Sequence, residues 1–181
     1  MKPFIGIKNI WYLAPLSTAP ADYAAVTALT TATGTSEVKN VHASTWSYSQ
    51  DDPETTEYVN QLTGKPYYRD KTSAGAKTIA FTIGEYEFAD KAALQGGTVI
   101  TSGSGTSATA IGWKSSGTLE NVHKAIIAKT KENSYIVFTN ALIVGKVDQQ
   151  ELNLGLGVSA VALENETTNV EDEYWFNQPA S

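Results

Sequence analysis

Cysteine is absent from the sequence, and its absence excludes several kinds of chemistry. A chain without thiols forms no disulfide, offers no thiolate metal site and has no cysteine nucleophile. Histidine is nearly as scarce: the two in the chain are His42 and His123, and neither has a carboxylate at the helical spacing typical of a zinc site. No Gly-x-Ser-x-Gly nucleophile sequence occurs. The sequence therefore predicts a structural or binding protein rather than an enzyme, with no metal and no cofactor.

Long apolar runs and basic clusters are also missing. No segment approaches roughly 18 consecutive apolar residues, so the sequence predicts no membrane span. Residues 1–15 lack the apolar stretch of a secretory signal peptide, and we expect none. The chain carries 13 Lys and Arg against 19 Asp and Glu, a net charge of −6. Without a basic block there is no electrostatic footprint of a nucleic-acid groove.

Positive charge disappears from the last part of the chain. No Lys or Arg follows Lys146, whereas acidic residues continue, most densely in the C-terminal segment 164–181. Two interpretations stay open at this point. The acids form a solvated tail, or they form a surface that repels polyanions.

The patterns that are present indicate β-structure. Residues 77–88 alternate, with Ile79, Phe81 and Ile83 on one face, as in a half-buried strand. Further strands are predicted over 5–13, 38–49, 98–101 and 111–114, and a long hairpin over 135–147 and 152–163, joined by the polar link DQQE. For 122–131 a strand is preferred, although its helix formers also permit a helix. A last short strand or anchor is predicted at 174–176. One clear helix is predicted at 89–95, where Gly96-Gly97 supplies a stop. Residues 21–29 form a short helix or a strand, and Asp22 at their start favours the helix. About seven antiparallel strands with a flanking short helix predict a β-sandwich or barrel, as one domain over 1–181.

Two segments between the strands stand out. Residues 102–110 are rich in Gly and Ser and are predicted to be a loop tip. Residues 50–76 are polar and without sustained periodicity, which predicts a long inserted loop, with a short irregular strand at Tyr67-Tyr68 as an option within it. This loop carries Tyr58, Tyr67, Tyr68 and Arg69, which are residue types favoured in protein interfaces. Either these side chains contact another protein, or the tyrosines fold back on the body.

Residues 155–160 match the Gly-x-Gly-x-x-Ala dinucleotide fingerprint. That fingerprint requires a helix directly after the glycines, to meet the pyrophosphate. Here the glycines lie within an alternating β pattern, and the chain turns polar soon after Ala160. Gly155 and Gly157 are therefore predicted to keep one strand face slim, for a bulge or for a closely approaching backbone.

The order of these features resembles that of the major tail tube proteins of tailed bacteriophages and prophages. The resemblance covers about residues 77–165 and lies in KTIAFTIGEYEFAD, TKENSYIVFTNALIVGKV and GLGVSAVALE. It implies a β-sandwich with a flanking helix, stacked rings that are hexameric, and an inner β-barrel to which each subunit contributes strands. It implies no enzyme activity. DNA would pass through the tube without specific binding, the partners would be further copies and other tail proteins, and no membrane would be involved.

The resemblance also implies where the protein is found and which residues make contacts. The protein would be found in the virion tail, after assembly in the host cytoplasm. Long loops would reach the next ring, so that Tyr58, Tyr67, Tyr68 and Arg69 become candidate contacts between subunits. Gly155 and Gly157 would give room where neighbouring backbones come close.

An alternative is a non-catalytic β-sandwich binding module of the carbohydrate-binding or adhesin-like kind. Aromatic rings serve sugar stacking as well as cores and interfaces. The aromatic residues that raise this alternative are Trp11, Trp46, Tyr48, Tyr67, Tyr68 and Trp113.

Overall fold

The computed structural model describes residues 3–103, 105 and 108–179. Two helices lie in this part of the chain, α1 (Tyr23–Thr30) and α2 (Phe88–Gln95). The strands of the same part are β1 (Asn9–Leu13), β2 (Ser36–Glu37), β3 (Ser47–Gln50), β4 (Thr55–Val59), β5 (Pro66–Lys71), β6 (Lys77–Ile83), β7 (Thr98–Ser102), β8 (Thr109–Lys114), β9 (Val122–Lys129), β10 (Tyr135–Gln150), β11 (Asn153–Ala162) and β12 (Glu173–Phe176).

One antiparallel sheet forms the body. Its strands follow the order β2-β1-β9-β10-β11-β6-β3, and β12 pairs with β10 outside this path. The segment after β2 connects the two ends of this strand order, because it contacts β1 near one end and β6 near the other. The Val38 N–H donates to the Ile10 carbonyl at 2.8 Å, and Val41 forms a bridge with Ile83 of β6. The sheet therefore curls into a barrel-like body, and the predicted mainly β, antiparallel fold is confirmed.

Strand β10 is long because its two parts pair with different strands. Its first part pairs with β9 and β12, and its last part pairs with β11. A register shift lies between Phe138 and Ala141, as expected for a β-bulge, which bends a strand. Within the shift, the Thr139 hydroxyl donates to the Glu171 carbonyl at 2.6 Å, and the Asn140 amide donates to the Glu164 carbonyl at 3.0 Å. The bulge thus anchors the C-terminal segment against the body.

Two apolar clusters stabilise the fold, one on each face of β9. Ile126 and Ala128 belong to the main cluster inside the barrel, whereas Ile127 belongs to a second cluster that also includes Val26 of α1. Burial on both faces explains why residues 125–128 of β9 are apolar without alternation. Helix α1 starts at Asp22, whose carboxylate accepts from the Ala25 N–H at 2.7 Å. The strand predicted at 122–131 and both predicted helices are confirmed.

Several predicted elements differ from those observed. The inserted loop 50–76 contains the hairpin of β4 and β5, so more strands are present than the seven predicted. The strand predicted over 38–49 forms only at β3, because Asn40 and Ser44 adopt positive φ angles that interrupt an extended chain. The link DQQE is also shorter than predicted: β10 runs through Gln150, and the turn begins at Glu151, with a φ of 56°.

Strands β7 and β8 form a separate hairpin around the Gly/Ser-rich segment 102–110. Of that predicted loop tip, Ser104, Thr106 and Ser107 lie outside the described residues. Helix α2 carries a capping box between Glu87 and Asp90. Ala180 and Ser181, the end of the predicted acidic segment, also lie outside the described residues.

Candidate assembly surfaces

The segment 51–76, here called the arm, projects from the body. Its root is closed by a hydrogen bond from the Asp51 N–H to the Ala76 carbonyl at 2.9 Å. Every residue of β4 and β5 is exposed. Tyr67 is 71% exposed and Leu62, near the tip, is 94% exposed. The alternative that the tyrosines fold back on the body is therefore wrong.

The two strands of the arm are stabilised by contacts with each other. Tyr58 and Tyr68 stand opposite each other with ring centroids 5.7 Å apart, and Glu57 forms a salt bridge with Arg69. An exposed ion pair contributes only about 0–1 kcal/mol. A two-stranded hairpin without a core is marginally stable in water. The arm would therefore become more stable if another surface covered it. The structure brings four of the predicted contact residues, Tyr58, Tyr67, Tyr68 and Arg69, together on it.

The second surface is the end of the long hairpin, residues 144–154, here called the distal hairpin. Pairing of β10 with β9 ends at Ile143, opposite Val122, and residues 144–150 pair with β11 alone. Val144 and Val147 are about half exposed, and Leu152 at the turn is 99% exposed. In the described part of the chain, the seven residues 144–150 thus pair with no strand on the β9 side, although Leu94 and Gln95 of α2 lie against Gly145. Exposed strand edges are templates for pairing with another chain.

The third surface is the opposite end of the same sheet. Strand β3 pairs with β6 on one side, and it is the last strand in the sheet order. Ser47 and Ser49 point outward and are exposed. Tyr48 points inward, where its hydroxyl donates to the Glu173 carboxylate at 3.0 Å and its ring lies 5.4 Å from that of Trp175. Tyr48 therefore fixes β3 to the body while leaving its outer edge open.

Gly155 and Gly157 are buried inside β11, in the strand predicted for them. A Cβ at Gly155 would lie 2.7 Å from the Thr82 methyl carbon and 2.9 Å from the Ile83 carbonyl oxygen. A Cβ at Gly157 would lie 2.9 Å from the Asp148 Cβ. The prediction of a slim strand face under a close neighbour is confirmed, and the neighbours seen here belong to the same chain.

The slim face accommodates a carboxylate that the sequence did not indicate. The Asp148 Oδ2 accepts hydrogen bonds from the Thr82 hydroxyl at 2.6 Å and from the Gln150 amide at 2.7 Å. The hydrogen bond from Thr82, and then that from Gln150, lower the pKa of Asp148. Thr82 and Asp148 are 66 residues apart, so no local pattern could have paired them. This cluster ties the base of the distal hairpin to β6.

The acidic C-terminal segment is not uniformly solvated. The Lys77 amino group lies 2.8 Å from the Asp172 carboxylate and 3.2 Å from that of Glu173. Glu164, Glu166 and Glu171 remain exposed. The interpretation as a solvated tail therefore applies to part of the segment, and the remainder fixes β12 to β6.

The six aromatic residues that suggested a binding module lie in different parts of the molecule. Trp46 and Tyr48 pack against the main cluster, and Trp11 packs against the second one. The Trp113 indole donates to the Gly96 carbonyl at 2.8 Å. Tyr67 and Tyr68 are exposed on the arm. They do not form one shared sugar-stacking platform.

The histidines take part in single local contacts. One ring nitrogen of His42 lies 3.1 Å from the Ala43 carbonyl, and one of His123 lies 3.3 Å from the Asn140 side-chain oxygen. Within the described ranges, no group of three or more His, Asp or Glu side chains is placed to hold a metal ion. No helix in those ranges has both the length and the apolar character needed to cross a membrane.

No protein-family model matches the chain, and a search of curated proteins found no match. The geometry of the arm, the distal hairpin and β3 is therefore the basis on which a function can be proposed.

Proposed function

We propose that the protein is a self-assembling, non-catalytic structural subunit, of the kind that forms a bacteriophage or prophage tail tube. Copies would join in rings, hexameric in such a tube, and the rings would stack around a conduit for DNA. The observation that carries this proposal is the arm, whose strands are exposed along their whole length. A hairpin of this kind is stabilised when a neighbouring subunit covers it.

The charge of the chain supports the same function. With a net charge of −6 and no basic block, the subunit has nothing that would hold a polyanion in place. DNA would pass without specific binding. The partners would be other copies and other tail proteins, in the host cytoplasm first and in the virion afterwards.

The test compares the purified protein with an arm-deleted variant. In the variant a Gly-Ser-Gly link replaces residues 54–72, and the Asp51–Ala76 hydrogen bond at the root is retained. Light scattering over a concentration series and negative-stain microscopy report on assembly. The wild type is expected to form stacked rings, alone or after addition of a tail initiator complex. The variant is expected to fold with an unchanged β-type circular dichroism spectrum and to form no stacks.

Two leucines provide a matched comparison by point substitution. Leu62 lies in the arm and Leu119 lies in a loop of the body, and both are fully exposed. Leu62→Ser should weaken stacking, whereas Leu119→Ser should leave it unchanged. A wild-type protein that stays monomeric at high concentration and with the initiator complex would refute the proposal.

The alternative function, a carbohydrate-binding or adhesin-like module, has narrower support. Tyr67 and Tyr68 remain available for stacking on a sugar, and the other four aromatic residues are at least partly buried in packing contacts. Binding on a glycan array that is lost in Tyr67→Ala, together with no assembly, would favour this module.

A further inference from the structure

We propose that a cavity on the body binds a small molecule that carries a phosphate group and a flat ring, which is the chemistry of a nucleotide. The cavity has a volume of about 790 Å³ and is lined by residues before and at the start of β1, by the segment after β2 and by Lys131, which follows β9. This volume is within the range of about 300–1,000 Å³ that is usual for ligand pockets. The cavity shares no residue with the arm, the distal hairpin or β3, so the inference is independent of the proposed function.

Positive charge is concentrated in this cavity. Among the described residues that line it, Lys8, Lys39 and Lys131 stand against a single carboxylate, that of Glu37. With His42 neutral, three lysines against one glutamate give a net charge of +2, in a chain whose net charge is −6. A phosphate monoester, which carries close to two negative charges at neutral pH, therefore meets an opposite charge of similar size.

The three lysines are free to contact a ligand. None of the salt bridges among the described residues involves Lys8, Lys39 or Lys131, and all three are exposed. The Lys8 amino group lies 3.5 Å from the side-chain oxygen of Asn133, which is an uncharged acceptor. A ligand therefore does not have to compete with a carboxylate of the same chain for these amino groups.

Backbone hydrogen bonds hold two of the lysines beside each other. The Lys8 N–H donates to the Lys129 carbonyl at 2.7 Å, and the Lys131 N–H donates to the Ile5 carbonyl at 3.2 Å. Gly6 lies against the Lys131 side chain, because a Cβ at Gly6 would be 3.1 Å from both Cδ and Cε of the lysine. The φ of Gly6 is 58°, so glycine suits this position for its backbone as well as for the space it leaves.

The segment that carries Lys39 has a fixed shape. Asn40 and Ser44 adopt φ angles of 56° and 64°, which are uncommon for residues other than glycine. The Asn40 carbonyl accepts from the Gly84 N–H at 2.8 Å, and its side-chain amide donates to the Glu85 carboxylate at 2.8 Å. Unusual backbone angles that the surrounding structure maintains are found preferentially at ligand sites. This wall of the cavity is therefore in place before a ligand arrives.

Trp46 offers the surface for a flat ring. Its side chain is half-buried, packs against the main cluster and also lines the cavity. An aromatic side chain supported by the core in this way is a platform on which a planar ring can stack. One nitrogen of the nearby His42 lies 3.1 Å from the Ala43 carbonyl, which leaves its other ring nitrogen available for a polar group of the ligand.

The residue types favour phosphate over carboxylate. Lysine binds phosphate as a compact point charge, whereas a planar carboxylate is matched best by the two-pronged guanidinium of arginine. The cavity is lined by lysines, and the one arginine of the chain, Arg69, is on the arm. Lysines around one concave site also differ from the continuous basic stripe that holds a nucleic acid.

Three related compounds test the ligand class by isothermal titration calorimetry of the purified full chain at low salt. AMP carries both the phosphate and the ring, adenosine lacks the phosphate, and ribose 5-phosphate lacks the base. AMP is expected to bind, and each of the other two is expected to bind at least about tenfold more weakly, the effect of losing one good polar or stacking contact. The affinity for AMP should fall as salt is added.

Point substitutions locate the binding in the cavity. Lys39→Gln and Lys131→Gln should each weaken AMP about tenfold or more, because each removes a charged donor. The matched control is Lys71→Gln, at an exposed lysine of the arm, which changes the net charge equally and should leave the affinity unchanged. Trp46→Leu should weaken AMP while leaving ribose 5-phosphate unaffected, a difference that loss of folding would not produce. Circular dichroism reports whether each variant folds.

Four results would overturn the inference. These are no binding of AMP at low salt, equal affinities for AMP and ribose 5-phosphate, an equal loss of affinity in Lys71→Gln, and tighter binding of a single-stranded oligonucleotide than of AMP. The last result would assign the lysines to DNA instead of a small ligand. Each measurement gives its answer whether or not the protein forms rings.

Discussion

The substitution Gly155→Ala tests how tightly β11 is packed against β6. The new Cβ would lie 2.7 Å from the Thr82 methyl carbon and 2.9 Å from the Ile83 carbonyl oxygen. Both distances are too short for an undisturbed contact. Ile83 cannot retreat freely, because it pairs with Leu156 on one side and with Val41 on the other. We expect the variant to lose about 1–3 kcal/mol of unfolding free energy, the usual cost of overpacking a well-filled core.

Gly112→Ala is the matched control for this prediction. Gly112 also lies in a strand, and its φ is not in the positive range. A Cβ there would lie 3.5 Å from the Ile100 Cδ1, an ordinary contact. Because alanine restricts the unfolded chain more than glycine does, this variant should be unchanged or more stable by up to about 1 kcal/mol.

Urea unfolding followed by circular dichroism measures both variants under the same conditions. If the same variants are unfolded by heat instead, each kcal/mol corresponds to a shift of about 2–4 °C in Tm for a domain of this size. Gly155→Ala with wild-type stability would refute the packing argument. Wild-type stability combined with lost assembly would place Gly155 at a contact between subunits, as the resemblance to tail tube proteins implies.

Two further substitutions test polar contacts of the body. Burial, followed by the hydrogen bond to Glu173, raises the pKa of Tyr48 above its ordinary value, so the unfolded chain ionises first and stability falls as pH rises above about 10. Urea unfolding between about pH 9 and 11 measures this decline. In Tyr48→Phe the decline should be shallower, by less than about 1.4 kcal/mol per pH unit because solvent screens the group, and an unchanged slope would contradict the prediction. Lys77→Met leaves Asp172 and Glu173 without their cation and should cost about 1.5–3 kcal/mol, with faster proteolysis of the C-terminal segment; unchanged proteolysis would contradict this.

The elements that the sequence predicted well are those with one buried face. Strand β6 alternates along its whole length, and Ile79, Phe81 and Ile83 are indeed buried. Helix α2 ends where Gly96 adopts a φ of 84°, which other residues rarely adopt. In both cases a local requirement, the burial of one strand face or a positive φ angle, produces a pattern that is visible in the neighbouring sequence.

The elements that could not be predicted from the sequence show no such local pattern. Strands β4 and β5 bury neither face, so their hairpin produces no alternation, and the sequence indicated no more of it than a short irregular strand at Tyr67-Tyr68. Leu152 and Leu154 alternate in the same way as Leu156 and Val158, yet the first pair is exposed and the second is in the core. The limit between them lies where β6 ends, because Ile83, the last residue of β6, pairs with Leu156, and β6 is distant in sequence from β11. For the same reason the open edge at 144–150 could not be predicted.

The arm offers exposed apolar and aromatic side chains, and in the proposed assembly it would reach beyond the ring to which its own subunit belongs. Removing the arm should therefore leave single rings rather than stacks. If the arm-deleted protein is monomeric instead, the arm contributes to the ring itself, and the assignment of the arm to stacking is wrong.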